Sequence, residues 1–287
     1  MKLRRRLIVC ADDFGLDDAV NVAVERASRE GILTCTSLMV GAPAAAEAVA
    51  CARCLPRLRV GLHVNLVDGA PVLPPEAVPD LVDGRGQFDT NMFRAGCRFF
   101  FAPRARRQLA AEIRAQFAAF HATGLELDHV NAHRHMHVHP TVAGLILRIG
   151  REFGARAMRV PDEPHALLNH VAAAEGSRVR RPLYRPWIAM LRRRLRRAGI
   201  AVNDHLLGLA WTGSMTEERM LRLVSALPPG VSELYCHPAA TQTPRLLATM
   251  PRYRQTEELA ALLSPRLRAA IERDGIELVS YADLAPG

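Results

Sequence analysis

Short apolar segments alternate with helix-length amphipathic segments along almost the whole chain, and this alternation limits the possible folds most. The predicted strands are rich in Val, Ile and Leu and lie at 7–11, 36–40, 60–66, 127–133, 157–160, 232–236 and 277–281. The predicted helices lie at 17–29, 43–54, 104–123, 140–153, 217–226 and 255–274. Buried parallel strands joined by helices have this pattern. We therefore predict an α/β fold, an irregular TIM-barrel-like (β/α) barrel of about seven parallel strands, over the alternative of an open doubly wound sheet.

The length of 287 residues is enough for one large core, and we predict a single domain over residues 1–287. An arginine-rich segment around 162–200 interrupts the alternation and indicates an insertion after a strand. Six cysteines in a chain of this length lack the density of a secreted disulfide scaffold. The basic N-terminus is followed by an apolar run that soon meets two aspartates, too short for a secretory signal. These features predict that the protein is located in the reducing cytoplasm.

The positive charge of the chain is concentrated in one place. The formal net charge is +9, and the nine arginines between Gly176 and Gly199, with no acidic residue among them, account for it. Apolar residues are interleaved with these arginines, as in a helix lying on an anionic membrane surface. A basic helix that packs its apolar side on its own domain is an equally open interpretation. Nothing else in the sequence resembles a base-reading module, so we expect no nucleic-acid partner but keep peripheral contact with the inner membrane face as a hypothesis.

Two carboxylates, Asp12 and Asp13, follow the first predicted strand directly. Active sites of barrels lie at the carboxyl ends of the strands. Because side chains alternate along an extended chain, the two aspartates are expected to point in different directions. One can then ligate a metal while the other accepts a proton, as metal-assisted hydrolysis requires. The alternative is an acidic turn that caps the following helix.

The densest signal is a histidine cluster at the end of another predicted strand. The segment DHVNAHRHMHVHP at 128–140 contains five of the eleven histidines of the chain. Those at 133, 135, 137 and 139 are two residues apart, so in extended chain they would share one face and form a divalent-metal site. Only one or two of these histidines can bind the metal from a single strand. The others would donate hydrogen bonds to groups around the metal ligands or to the substrate.

Two further histidines lie where predicted strands end. His63 in GLHVNL is a candidate third metal ligand, although a lone histidine is also a common core residue. His237 in ELYCHP is a candidate general acid or oxyanion stabiliser, with a capped proline turn as the alternative. No Walker A, G-x-G-x-x-G or G-x-S-x-G motif occurs, so nucleotide binding and serine hydrolysis lack sequence support.

Four strings in this order, ADDFG, GLHVNL, HRHMHVHP and ELYCHPA, resemble those of the YdjC/ChbG-like carbohydrate deacetylases. They cover the chain from about residue 7 to residue 239. The strings MRVPDEP, NDHLLGLAWTGSMT and LPPGVSELYCHPA are most similar to the hopanoid-associated HpnK branch. The resemblance implies an irregular (β/α) barrel, in agreement with the alternation of strands and helices.

The resemblance also implies one divalent metal ion. Its ligands map onto Asp13, His63 and His133, and Asp12 matches the general base. We predict zinc or magnesium, because a carboxylate with two imidazoles suits several divalent ions. This chain departs from the common pattern of the family just before the third ligand, where Asn131 and Ala132 replace Asp-Ser, and just after it, where Arg134 replaces a histidine.

The activity implied is hydrolytic N-deacetylation of an N-acetylglucosaminyl group, on a hopanoid lipid such as a bacteriohopanetetrol glycoside. His237 would protonate the departing amine, and His135 and Arg159 are predicted substrate contacts. The alternatives are a soluble chito-oligosaccharide deacetylase or another metal-dependent amide hydrolase. A basic lipid- or nucleic-acid-binding protein without catalysis is the non-enzyme alternative.

Overall fold

A parallel sheet built around the first strand organises the computed structural model, which describes residues 4–177, 179 and 185–284. Its seven strands run in the order β4-β3-β2-β1-β6-β5, with β7 also paired to β1, and every pair is parallel. The strands are β1 (Arg5–Phe14), β2 (Cys35–Leu38), β3 (Arg59–Val64), β4 (Leu127–Ala132), β5 (His205–Leu207), β6 (Gly230–Cys236) and β7 (Glu277–Leu278). The central strand β1 is buried from Leu7 onward, so its apolar residues form the middle of the core.

Isolated bridges continue the sheet beyond β4 and make the barrel irregular. Val130 bridges Met158, and Ala157 in turn bridges Ala201, just before β5. The prediction of an α/β barrel of about seven parallel strands is confirmed. The predicted strand at 157–160 was wrong in detail, because only single bridges form there, and the short strand β5 was not predicted.

Eleven α-helices are present in the described part of the chain, and most lie where the amphipathic pattern placed them. They are α1 (Asp18–Arg29), α2 (Ala45–Arg53), α3 (Met92–Phe101), α4 (Pro103–Ala122), α5 (Pro140–Glu152), α6 (His165–Ala174), α7 (Arg185–Arg197), α8 (Glu217–Ser225), α9 (Pro244–Thr249), α10 (Gln255–Leu262) and α11 (Pro265–Arg273). The single helix predicted at 255–274 is in fact two. Pro265 cannot continue a helix, and the side chain of Ser264 accepts the backbone N–H of Leu267 to start the next one.

The helix after β1 shows how local sequence shapes the barrel. The Asp17 side chain accepts the N–H of Ala19 at 3.0 Å and caps α1. Val20, Val24 and Ala27 are spaced for one helical face, and all three are buried. The cap fixes where α1 begins, and its apolar face packs it beside β1 with Asp12 and Asp13 at the near end.

The arginine-rich segment contains two helices, α6 and α7. In α7 the buried residues Ile188, Leu191 and Leu195 pack against the protein, while Trp187 and Met190 are exposed. Residues 178 and 180–184, which include Arg178, Arg180 and Arg181, lie outside the described residues. Among the helices described, none combines the length and apolar character needed to cross a bilayer. The assignment of residues 1–287 to one domain stays a prediction.

Candidate metal and catalytic site

The carboxyl ends of β1, β3, β4 and β6 meet at one end of the barrel and surround a cavity of about 840 Å³. Its lining includes most of the residues that the sequence singled out, namely Asp12, His63, His133, His135 and His237, and also Tyr235. Residues far apart in sequence therefore share one site because parallel strands place their carboxyl ends at the same edge.

Three ligand-type side chains form a compact group in this site. Oδ1 of Asp13 lies 3.0 Å from Nδ1 of His133 and 3.3 Å from Nε2 of His63. The two imidazoles approach each other at 3.4 Å. Asp13 takes a left-handed backbone conformation, with φ of 64°, at an irregularity in the pairing of β1 with β2. This local bend points Asp13 toward the histidines, whereas Asp12 faces the barrel interior.

The residues in this group fit a divalent cation. One carboxylate and two imidazoles with ligand atoms within 4.8 Å of one another are a usual donor set for such an ion. Oδ2 of Asp13 is buried and has no hydrogen-bond partner among the described residues, which is costly unless a cation satisfies it. Burial opposes ionisation of Asp13, but His133 and His63 outweigh it and hold the pKa of this carboxyl well below its usual range.

Asn131 orients one of the candidate ligands. Nδ1–H of His63 donates to Oδ1 of Asn131 at 2.6 Å, which leaves Nε2 of His63 facing Asp13. The amide group of Asn131 donates to Oγ of Ser37 at 2.9 Å and to Oδ1 of Asp12 at 3.2 Å. A hydrogen bond that fixes the tautomer of a metal-ligating histidine is a common second layer of support. The residue at which this chain departs from the family pattern therefore still performs an orienting task.

Asp12 is held by an ion pair rather than by the ligand group. Nη1 and Nη2 of Arg159 lie 2.5 and 2.9 Å from the two Asp12 oxygens, and Ser37 donates to Oδ1 at 2.6 Å. Burial disfavours the charge on Asp12, yet the adjacent guanidinium prevails and lowers the pKa of this carboxyl far below its usual range. Asp12 is therefore ionised and fixed in direction, and it still lines the cavity.

Arg159, predicted as a substrate contact, is fully buried, and the residues described as lining the cavity do not include it. Besides Asp12 it contacts Glu233 on β6, with Nη2 2.7 Å from Oε1. Glu233 in turn accepts the hydroxyl of Tyr281 at 2.6 Å. The guanidinium also lies 4.9 Å from the ring centroid of Tyr235, a cation–π contact. The geometry thus makes Arg159 a support for Asp12 from below the cavity.

The histidine cluster does not form the single face expected of an extended chain, and that prediction was wrong. Strand β4 ends at Ala132, and Arg134 and His135 have φ of 50° and 54°, so the chain turns at once. Only His133 joins the ligand group, while His135 lines another part of the cavity wall. The tight turn separates side chains that an extended chain would have aligned.

The last two histidines of the cluster have surroundings of their own. His137 is fully buried, and burial together with the charge on Arg159 lowers the pKa of its imidazole to about 3. His139 packs edge-on against Phe99 and Phe100 of α3. Neither side chain is among the residues that line the cavity.

His237 follows β6 directly and lines the cavity between two tyrosines. Its ring centroid lies 5.5 Å from that of Tyr235 and 5.1 Å from that of Tyr253. Its backbone N–H donates to the buried carboxylate of Glu258 at 2.6 Å. Nδ1 of His237 is buried without a hydrogen-bond partner among the described residues, so this side chain has a proton-carrying atom available near the cavity.

Sequence reasoning missed three polar residues of the site. Ser37 contacts Asp12 directly, Glu233 holds Arg159, and Asn131 orients His63. Each is fully buried, and each sits inside a short strand whose other residues are mostly apolar. A polar residue within a fully buried strand is the signal that was available, because such a group must be paired.

The fold and site define a class of protein, a parallel α/β barrel with a buried carboxylate and a group of candidate metal ligands at the ends of its strands. The model of the family described as YdjC-like protein matches residues 6–273, and the chain belongs to this family. The matched range contains the three candidate metal ligands together with Asp12, Arg159 and His237.

Relatives and a solved structure support the assignment. A protein of Brevibacillus brevis named carbohydrate deacetylase is 29% identical over 280 residues, covering 97% of this chain and 99% of its own. One of Vibrio vulnificus with the same name is 30% identical over 288 residues, covering 97% and 96%. A crystal structure from Enterococcus faecalis, described as a cellobiose-phosphate cleavage protein, superposes with a TM-score of 0.76 at 26% identity, covering 99% of this chain and all (100%) of that one.

Proposed function

We propose that this protein is a carbohydrate deacetylase that hydrolyses the N-acetyl amide of an N-acetylglucosaminyl group on a hopanoid lipid. The observation that carries the hydrolytic function is the position of Asp12 next to the Asp13, His63 and His133 group, of which His63 and His133 line the same cavity as Asp12. The names of the relatives, carbohydrate deacetylase, support the sugar substrate.

Each residue of the site has a task in this reaction. Asp13, His63 and His133 would hold one divalent ion, zinc or magnesium. When bound, the ion supplies polarisation of the amide carbonyl and lowers the pKa of a water molecule. Asp12, ionised and fixed by its ion pair, accepts the proton of the attacking water.

The other side of the cavity provides the acid and the contacts to the sugar. His237 donates a proton to the departing amine. His135 contacts the substrate from the cavity wall. Arg159, predicted as a substrate contact, instead positions Asp12 in this proposal, because its guanidinium is buried beneath it.

A lipid-linked substrate is supported by exposed apolar side chains near the cavity. On α3, Phe93 and Phe101 are 82% and 74% exposed, and Met92 at the start of this helix lines the cavity. On α7, Trp187 and Met190 are about half exposed. Large aromatic side chains left in solvent beside a pocket are typical of a surface that meets an apolar partner.

The two helices α3 and α7 flank the same neighbour. Helix α5 packs against both, with Phe100 of α3 near His139 at its start and Arg194 of α7 near Gly144 in its first half. Both helices contain aromatic residues and arginines and no acidic residue. This composition is typical of a surface that lies at the interface of an anionic bilayer. We propose that this face, α3 and α7 together, rests on the inner membrane surface from the cytoplasmic side.

The test is a direct assay with two substrates. The protein is incubated with an N-acetylglucosaminyl hopanoid and, separately, with N,N′-diacetylchitobiose, each with and without chelator, and mass spectrometry follows loss of the acetyl group. Loss from the lipid alone, abolished by chelator and restored by added zinc or magnesium, is the expected result. Loss from chitobiose alone would retain the chemistry and reject the hopanoid substrate. No loss from either, with metal restored, would contradict the deacetylase proposal and favour another acyl substrate or a binding role.

A further inference from the structure

A second group of ligand-type side chains lies inside the barrel, apart from the cavity. Cys10 of β1, Cys35 of β2 and His129 of β4 place their sulfur and nitrogen atoms within 4.8 Å of one another, and all three residues are fully buried. Cys10 and Cys35 are direct partners in the pairing of their strands. Nε2 of His129 lies 3.8 Å from Sγ of Cys10.

The imidazole of His129 is fixed through its other nitrogen. Nδ1–H donates to Oδ2 of Asp128 at 2.8 Å, and Oδ1 of Asp128 accepts the backbone N–H of Ala282 at the same distance, 2.8 Å. Asp128 therefore holds the Nδ1 side of the ring, and Nε2 is the nitrogen that faces Cys10. A carboxylate that accepts from the distal nitrogen is the arrangement most often found behind a metal-ligating histidine.

The two faces of the same ring are also confined. A Cβ on Gly61 would lie 2.5 Å from Cε1 of His129, so only glycine leaves room for the ring on that side. On the other side Tyr281 stacks on it, with centroids 4.8 Å apart and planes inclined by 28°. The ring is held at its edge and on both faces, and Nε2 is the atom left to bind.

We propose that Cys10, Cys35 and His129 bind a second metal ion, a thiolate-preferring cation such as zinc. Two thiolates and one imidazole are a zinc donor set, and zinc bonds of about 2.3 Å to sulfur and about 2.0 Å to nitrogen place tetrahedral ligand atoms roughly 3.5 Å apart. The 3.8 Å separation of Cys10 and His129 is close to that value. Binding releases the two thiol protons to solvent and leaves no net charge on the ion with its two thiolates.

The surroundings favour a cation, and the site has a clear structural consequence. Three carboxylates, Asp12, Asp128 and Glu233, lie close to the group, against the single guanidinium of Arg159. An ion here would tie together β1, β2 and β4. These strands carry Asp12, Ser37 and Asn131, so the ion would stiffen the support beneath the candidate catalytic residues.

The test reads metal content and spectra and needs no substrate, so its outcome is independent of the deacetylase proposal. The variant Asp13→Asn, whose cavity ligand group is weakened, is prepared with cobalt under reducing conditions. We expect one cobalt per chain and a thiolate-to-cobalt charge-transfer absorption in the near ultraviolet. Cys35→Ser in the same background should lose that absorption, whereas Cys54→Ser, at an exposed cysteine outside the group, should retain it.

Two results would overturn the proposal. The first is an Asp13→Asn protein, shown to be folded by circular dichroism, that takes up cobalt without thiolate absorption or takes up none. The second is a Cys35→Ser variant with unchanged absorption and metal content. If Cys35→Ser does not fold, the spectrum of Asp13→Asn still decides, because that chain keeps all three ligands.

Discussion

Nδ1 of His63 lies 2.6 Å from Oδ1 of Asn131, and the two residues are direct partners in the pairing of β3 with β4. The hydrogen bond requires the proton of His63 on Nδ1 and so turns Nε2 toward Asp13 and His133. An asparagine achieves this without adding a negative charge beside Asp12. The register of two neighbouring strands thereby fixes the tautomer of a candidate metal ligand.

Loss of this hydrogen bond should weaken metal binding. Asn131→Ala is expected to raise the Kd for zinc by about 10- to 100-fold, because the ring of His63 loses its orienting partner. Isothermal titration calorimetry of the metal-free protein measures this. Asn169→Ala, at an asparagine of α6 outside the site, serves as the control, and an equal Kd in both variants would contradict the assigned role of Asn131.

Removal of the carboxylate of Asp12 should stop proton transfer while leaving the metal ligands intact. Asp12→Asn is expected to lower kcat by at least ~10²-fold, the usual scale for a lost general base, with unchanged metal content. Steady-state assays with elemental analysis measure both quantities. Asp18→Asn, at an exposed residue of α1, is the control, and turnover like that of the unaltered protein in Asp12→Asn would remove Asp12 from the mechanism.

Arg159 should set the pH dependence of the reaction. Its guanidinium lowers the pKa of Asp12, and the base acts when deprotonated, so activity extends to low pH while the ion pair is present. Arg159→Lys keeps the positive charge but loses the bidentate ion pair with Asp12. We expect the pKa of Asp12 to rise, the acidic limb of kcat/KM to move to higher pH, and kcat to fall by about 10²-fold through misplacement of the base. An unshifted acidic limb in a folded variant would reject this role.

The basic helix α7 should draw the protein to anionic vesicles. Arg193→Gln with Arg197→Gln removes two exposed charges, each contributing about 1 kcal/mol near such a surface, so binding should weaken by roughly 30-fold. Sedimentation with phosphatidylserine-containing vesicles at several salt concentrations measures this. Arg192 is left in place, because it bonds to Asp162 at 3.0 Å and to the carbonyl of Asn203 at 2.7 Å.

The matched control for α7 removes two exposed arginines elsewhere, Arg26→Gln on α1 with Arg57→Gln just before β3. Both double variants lower the net charge by the same amount. A difference in vesicle binding between them therefore shows which surface makes the contact. Equal sedimentation of the two double variants would reject α7 as the contact. Phe93→Ser on α3 extends the test to the apolar part of the face. If this variant binds vesicles more weakly than the unaltered protein even at high salt, the lost binding comes from apolar contacts.

Gly61 should be required for the stability of the barrel interior. In Gly61→Ala the new Cβ would lie 2.5 Å from the ring of His129, which Tyr281 prevents from retreating. Overpacking of this kind lowers the free energy of unfolding by about 1–3 kcal/mol. Urea denaturation measures it, with Gly84→Ala as the control because nothing lies within 4 Å of a Cβ there. Equal midpoints would show that the ring of His129 is free to move.

Most strands and helices followed from periodicity, because periodicity is a local property of a segment's own residues, whereas the helices α3, α6 and α9 were not predicted. Residues 18–29 form α1 where Asp17 and the apolar spacing predicted it. The boundary between α10 and α11 was missed, although Pro265 marked it, because the apolar periodicity runs on across the break. Strand β5 was missed because only three residues pair, and their pairing depends on β6.

The site residues were recognisable as types, but their division of labour was not. Asp13, His63 and His133 lie together as the resemblance implied, whereas Arg159 turned out to lie beneath the cavity. A left-handed turn at Arg134 and His135 broke the histidine face that an extended chain would have had. Backbone conformation at single residues is set by tertiary packing and is invisible in the spacing of histidines.

The sequence by itself determined that this chain forms a βα barrel with acids and histidines at the ends of its strands, because strand periodicity and residue type are local. Only the tertiary structure decided which of these side chains meet. Asp13 and His133 are 120 residues apart, and the register of the parallel strands brings them within 3.0 Å. The same register buries Arg159 beside Asp12 and closes Cys10, Cys35 and His129 into one group, because contacts across a sheet depend on strand order and not on distance along the chain.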